Sequence, residues 1–200
     1  MKIIANFLYM CWTFITRIVY LPKITYEDIS MKKDLKNKGV IFIANHTSHK
    51  DGSFVPQALR GIKPYVLVTR KWYDKKQINW LFRNLRYIPI NLNDMDNDWM
   101  AKSKELLENN ESILIFPEGK LCKDGNLGEF HSGFLMLARQ TGVPVVPIAI
   151  SGGYRLFHRQ KLYIGKPVSI DVTKKGRPSV VLREAAEKCR YTLEEMLKRK

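Results

Sequence analysis

Val40-Ile41-Phe42-Ile43-Ala44-Asn45-His46-Thr47-Ser48-His49-Lys50-Asp51 passes from a wholly apolar run to a wholly polar one. An apolar run this short, with no polar residue in alternation, predicts a strand buried on both faces. The polar run is then the loop leading into a helix expected over Asp51–Leu59. In layered α/β sheets, functional groups collect where strands end and such loops begin. His46 stands at that point, and a tight turn returns the Asp51 carboxylate onto one imidazole nitrogen. The other nitrogen is then able to take a proton from a hydroxyl. Ser48 is placed to cap the helix with its side-chain oxygen. Two plainer readings compete: polar loop residues with no chemistry, or a metal site of His46, His49 and Asp51. No further ligand cluster in the sequence supports the metal.

Outward from this stretch, β-branched runs alternate with helical ones. Strands are expected at Tyr65–Val68, Tyr87–Ile90, Ser112–Phe116, Val145–Ile150, Leu162–Ile164 and Val168–Val172. Helices are expected at Trp72–Leu85, Trp99–Asn109, Phe130–Gln140 with Gly142 as its stop, and Val180–Lys198 with an amphipathic pattern. The lysine-rich stretch after Pro22 reads as a polar connection. The alternation predicts an α/β layered domain. Trp72, Trp80, Phe82 and Trp99 read mainly as core, with an acyl-chain channel as the alternative.

A second strand, Ile113-Leu114-Ile115-Phe116, ends in Pro117-Glu118-Gly119-Lys120. It delivers a carboxylate to the same kind of loop, with a glycine that permits close backbone approach and N–H groups able to face an anion. Val143-Pro144-Val145-Val146-Pro147-Ile148 is a third apolar strand, set off by prolines.

Composition narrows the setting. The 200 residues carry 34 Lys and Arg against 19 Asp and Glu, a net charge of +15. That field attracts anionic lipid, nucleic acid or an acidic carrier protein. Cys11, Cys122 and Cys189 are odd in number and form no paired motif, which suggests neither a disulfide framework nor a zinc ribbon and suits a reducing cytosolic face. Ile3–Leu21 is apolar and aromatic, interrupted by Asn6, Thr13, Thr16 and Arg17. Its length approaches a membrane span, yet Arg17 favours a helix lying in the interface, with Tyr9, Trp12 and Tyr20 near headgroup depth. The alternative is a core helix of the domain. Residues 1–22 are thus expected as a membrane-associated helix and 23–200 as a single domain.

The three segments together resemble the lysophospholipid acyltransferase family. Asn45–Asp51 matches its Asn-His-x-Ser-x-x-Asp motif, including Asn45 and Ser48. Phe116-Pro117-Glu118-Gly119 matches its Phe-Pro-Glu-Gly motif, and Val143–Pro147 its valine-proline run. The resemblance extends over roughly Ile41–Gly152. It implies a glycerolipid-acyltransferase-like mixed sheet flanked by helices, and transfer of a fatty acyl group from acyl-CoA or acyl carrier protein to a lysophospholipid hydroxyl. His46 would be the general base oriented by Asp51, while Glu118 and Gly119 would seat the acceptor. The best-known acceptor is 1-acylglycerol 3-phosphate, giving phosphatidic acid. No bound cofactor or metal is implied, and the setting would be the cytoplasmic face of a membrane. This chain departs from the pattern where arginine usually binds phosphate, carrying Leu92 and Leu121 there. Lys120 and Arg86 are the neighbouring cations expected to take over; otherwise the acceptor differs.

Two other classes remain in view. A serine hydrolase lacks the Gly-x-Ser-x-Gly elbow, leaving Cys122 as a candidate thiol nucleophile. A basic nucleic-acid-binding domain would use the charge and the Lys198-Arg199-Lys200 tail, but no recognition motif accompanies them.

Overall fold

The computed structural model describes residues 1–59, 61–91, 98–122, 126–170 and 177–199. Leu92, the last two residues of the Val168–Val172 strand expectation and Lys200 lie outside them. The helices are α1 (Lys2–Tyr20), α2 (Met31–Asp34), α3 (Asp51–Ala58), α4 (Arg70–Tyr73), α5 (Asn79–Asn84), α6 (Asp98–Glu108), α7 (Gly133–Thr141) and α8 (Pro178–Lys198). The strands are β1 (Lys23–Tyr26), β2 (Ile41–Ala44), β3 (Tyr65–Thr69), β4 (Tyr87–Ile90), β5 (Ile113–Ile115), β6 (Val145–Ser151) and β7 (Lys161–Ile164). They form one sheet in the order β1-β7-β6-β2-β5-β3-β4. Five strands from β6 to β4 run parallel; β7 reverses against β6 and takes β1 with it. This is the mixed, helix-flanked sheet expected.

The apolar decision made by the VIFIA run is visible in β2, where every residue is buried. Phe42 and Ala44 join one core with Leu114, Val146, Ile148 and the Phe54–Ala58 side of α3. Ile41 and Ile43 join the other, with Ile113, Val145 and the inner faces of α6, α7 and α8. Successive side chains of a strand point to opposite faces, so a wholly apolar strand needs a helical layer on each.

Three expectations are corrected. Lys23–Tyr26 is a strand at the sheet edge, not a polar connection, and only its alternate residues are part-buried. The helix expected over Trp72–Leu85 is two short helices, α4 and α5, because Asp74-Lys75-Lys76-Gln77 puts four polar residues where the apolar stripe would pass. Val168–Ile170 forms no strand, although the Val168 N–H donates to the Val145 carbonyl at 2.8 Å.

The N-terminal helix is not a core helix. It is long and apolar enough to cross a membrane, with a mean hydropathy of 1.4. Ile3, Ile4, Phe7, Met10, Phe14, Ile15 and Ile18 are each at least half exposed. Of the aromatics expected at headgroup depth, Tyr20 is buried instead, Tyr9 is part-buried at a cleft, and Trp12 borders the same cleft while still exposed. Trp12 Nε1 donates to Ser53 Oγ at 3.2 Å, and Thr16 Oγ1 donates to Gln57 Oε1 at 2.7 Å, fastening α1 to α3.

Candidate active site

Because β2, β3, β4, β5 and β6 are parallel, their C-terminal ends share one edge of the sheet. The loop after β2 carries Asn45 to Lys50, the loop after β5 carries Phe116 to Lys120, and the turn after β6 carries Gly152 to Tyr154. The sequence separates these loops by some 70 and 105 positions; the topology makes them neighbours.

Asn45 secures the first loop. Its side-chain amide donates to the Ile150 carbonyl at 3.0 Å and accepts from the Ile150 N–H at 2.7 Å, so β2 and β6 end in register. His46 follows, its ring lying flat on Phe116 with centroids 4.2 Å apart. His46 Nδ1 is 3.0 Å from Asp51 Oδ2. Asp51 is fully buried, yet well supplied: Oδ2 also accepts from the Thr47 and Ser48 N–H groups at 2.7 and 2.8 Å. Its Oδ1 accepts from the Tyr154 hydroxyl at 2.5 Å. A buried carboxylate is satisfied by donors so placed. It fixes Nδ1 as the protonated nitrogen and leaves Nε2 as the basic one. Burial, then the adjacent Asp51 charge and hydrogen bond, hold the Tyr154 hydroxyl far above the ordinary phenol range, so it remains a donor.

Ser48 does not cap α3 in the way expected. Its Oγ accepts only from the Lys50 N–H at 3.3 Å, because Asp51 itself takes the loop's N–H groups from inside the first turn.

Glu118 occupies a different place from the acceptor seat expected. It is buried, with Oε1 accepting from the His46 N–H at 3.0 Å and Oε2 from the Gly128 N–H at 2.8 Å. It joins the two loops and holds the His46 backbone. Pro117 is buried as well, and its carbonyl accepts from the His131 N–H at 2.9 Å. Gly119 adopts the left-handed conformation, φ +65°, that makes the turn; its N–H is used by the Phe116 carbonyl rather than offered to an anion. Cys122 sits beside Glu118, whose hydrogen bond pushes the thiol up, the opposite of what a nucleophilic cysteine needs.

His46, Gly119, Lys120 and Leu121 border a cleft of about 610 Å³, otherwise mostly apolar. Val66, Leu67 and Val68 of β3 line it, with Trp72 of α4, Trp80 and Phe82 of α5 and Leu8, Tyr9 and Trp12 of α1. Three of the four aromatics read mainly as core therefore face the cleft, while Trp99, on α6, is part-buried against the core beside Gly133 of α7. Lys120 is exposed at the cleft border. Arg86 is not there: it precedes β4 at the opposite edge of the sheet, about four strand residues or roughly 13 Å away. Its guanidinium pairs with Glu111 and lies 4.0 Å from the Tyr65 ring centroid. His49 packs on Trp72, with centroids 4.8 Å apart. Among the described residues no three His, Cys, Asp or Glu side chains are grouped to share a metal ion.

Tyr154 is the member of this network that sequence reading missed; it lies 103 positions from Asp51 and belongs to no motif.

Residues 23–151 match the family model described as Acyltransferase. A 1-acyl-sn-glycerol-3-phosphate acyltransferase of Limnanthes douglasii is 31% identical over 68% of this chain and 48% of its own length. One from Salmonella typhimurium is 29% identical over 82% of this chain and 69% of its own. A chloroplastic relative from Brassica napus, BAT2, is 38% identical over 38% of this chain and 22% of its own. The chain thus spans between about a fifth and a half of several curated relatives it matches. The crystal structure of the 1-acyl-sn-glycerophosphate acyltransferase PlsC from Thermotoga maritima shares the fold, with a TM-score of 0.60 at 22% identity, covering 98% of this chain and 77% of that one. With a matching model over more than half its length and this sheet edge in place, the chain belongs to the Acyltransferase family.

Proposed function

We propose that the protein is an O-acyltransferase moving a fatty acyl group from an acyl thioester to the hydroxyl of a lysophospholipid, foremost 1-acylglycerol 3-phosphate, to give phosphatidic acid. The observation that carries this reading is the His46–Asp51 pair at the border of an apolar cleft. His46 Nε2 takes the acceptor hydroxyl proton as that oxygen attacks the thioester carbonyl. The carbon–oxygen bond forms, the carbon–sulfur bond breaks, and the same proton passes from His46 to the departing thiolate. Asp51 stabilises the imidazolium in between without taking the proton. The acyl chain occupies the cleft walled by β3, α5 and α1, and Lys120 offers its charge to the acceptor phosphate. The three relatives described above, each named for that reaction, support the acceptor class. Acyl-CoA and acyl carrier protein are both fitting donors. Residues 1–22 serve as a membrane-associated helix at the cytoplasmic face and 23–200 as the catalytic domain, with α1 also closing one side of the cleft.

One observation favours a second reading of the acceptor. Leu121, where the family motif has its phosphate-binding arginine, lines the cleft as an apolar residue. Lysine offers a point charge and no bidentate fork, so an acceptor with a smaller demand for phosphate contacts is the alternative.

Transfer from labelled acyl-CoA and acyl carrier protein to a panel of lysophospholipids, beside His46→Ala, tests both. Product with lysophosphatidic acid, reduced by at least about 10²-fold in the variant, is the expected result. Product only with another lysolipid keeps the chemistry and moves the acceptor. Undiminished transfer by a folded His46→Ala protein removes the assigned base.

A further inference from the structure

The turn between β6 and β7 is fastened to the end of α1. The Phe157 N–H donates to the Val19 carbonyl and the Gln160 N–H to the Tyr20 carbonyl, each at 2.8 Å. At its tip Leu156 and Phe157 are 65% and 72% exposed. Phe157 adopts a left-handed backbone, φ +58°, which an aromatic residue rarely takes. That strain presents a ring to the outside instead of burying it, and an outlier of this kind points to a use. Exposed Arg155, His158, Arg159 and Lys161 surround the tip. No Asp or Glu occurs from Ser151 to Leu162, nor from Met1 to Tyr26.

We propose that Leu156 and Phe157 form a second membrane wedge, inserting into an anionic bilayer beside α1. The inference rests on the reading of α1 as membrane-bound. An apolar tip within a cationic collar divides itself at a lipid interface: the side chains leave water while the cations stay with the headgroups. Exposed Ile18 and Leu21 flank Val19 and Tyr20, the two residues of α1 whose carbonyls hold the turn. A single interfacial helix leaves the domain free to roll about the helix axis. A second fixed point removes that freedom and sets how the sheet edge carrying His46 faces the bilayer. The absence of acidic residues from both segments favours anionic lipid over a protein partner of mixed charge.

An environment-sensitive nitrobenzoxadiazole dye on Phe157→Cys, in a Cys11→Ser/Cys122→Ser background with Cys189 left buried, reads insertion directly. The same dye on Phe14→Cys reports α1. With vesicles of phosphatidylcholine and phosphatidylglycerol, both dyes are expected to brighten and shift to the blue. Leu156→Ser/Phe157→Ser should weaken vesicle partition roughly tenfold. A response at 14 with none at 157 overturns the wedge and keeps α1 on the membrane. Silence at both positions removes the membrane reading and the wedge together. A response at 157 that appears without vesicles and follows self-association in light scattering overturns lipid as the occupant. Phe157→Gly supplies a check independent of folding damage: it relieves the strained backbone, so the thermal midpoint should rise while vesicle affinity falls. Unchanged affinity in that variant also overturns the wedge.

Discussion

Asp51 carries the site only because four donors meet it in a place without solvent: His46, two backbone N–H groups and the Tyr154 hydroxyl. Tyr154→Phe deletes one of them and nothing else in the ring's packing against Tyr20 and Phe54. A hydrogen bond to a buried charged group contributes about 1.5–3 kcal/mol, so the unfolding free energy from denaturant titration should fall by that order. Under the proposed reaction kcat should fall while KM for the acceptor holds, since Tyr154 touches Asp51 and not the cleft. Glu118→Gln asks the same of the second loop. An amide keeps one acceptor oxygen, so either the His46 or the Gly128 N–H faces an NH2 group. A loss of about 1–3 kcal/mol is expected in the same unfolding experiment, together with slower transfer because the His46 backbone has lost its brace. His46 and Asp51 were legible because their partner relation is local, five residues apart. Tyr154 was not, since its role exists only after β2 and β6 pair. Arg86 misled for the converse reason: it is near a matched motif in sequence but at the wrong end of β4.

At the scale of elements, the cleft exists because the chain between β3 and β4 breaks into α4 and α5. One continuous helix would set its aromatic stripe flat on the sheet. The break lets Trp72, Trp80 and Phe82 wall a space instead, which is why aromatic spacing in the sequence read mainly as core. Leu81 lies in this wall, half-buried. Leu81→Trp should therefore shorten the acyl chain accepted, lowering transfer of the longest chains roughly tenfold and sparing shorter ones. Competition between thioesters of graded length measures it; an unchanged preference would place the acyl chain elsewhere. The central strands were readable because double burial demands unbroken apolar runs. Lys23–Tyr26 was not, because an edge strand keeps half its residues toward solvent and its exposed Lys23 and Thr25 resemble a linker. The inward turn of Tyr9 and Tyr20 was equally hidden, since a helix with apolar residues all round does not declare which face the protein takes.

For the molecule as a whole, the two cores on either side of the sheet set its response to alkali. Cys189 of α8 is fully buried in the core shared by α7, α8 and β2. Burial pushes its thiol from 9.0 up to about 12, against a smaller opposing effect of Lys188. Below pH 9.0 the thiol is protonated in folded and unfolded chains alike, and its contribution to stability is fully present. Above that value the unfolded chain releases the proton while the folded one holds it, so stability is lost as the pH rises toward about 12. The slope from one such group approaches about 1.4 kcal/mol per pH unit. Tyr154 and Tyr87, both raised mainly by burial, add losses of the same sign only beyond the ordinary tyrosine value of 10.0. The interval from pH 9 to 10 therefore isolates the thiol. Cys189→Ala, compared in a Cys122→Ser background because Glu118 raises that thiol too, should lose about 1 kcal/mol at pH 8 from the vacated space. Its urea midpoint should then stay nearly level to pH 10, while the parent with Cys189 falls. Parallel curves for the two proteins would mean that α8 opens to solvent and lets Cys189 titrate near its ordinary value, and the packing of α8 over β6 would be looser than the structure draws it.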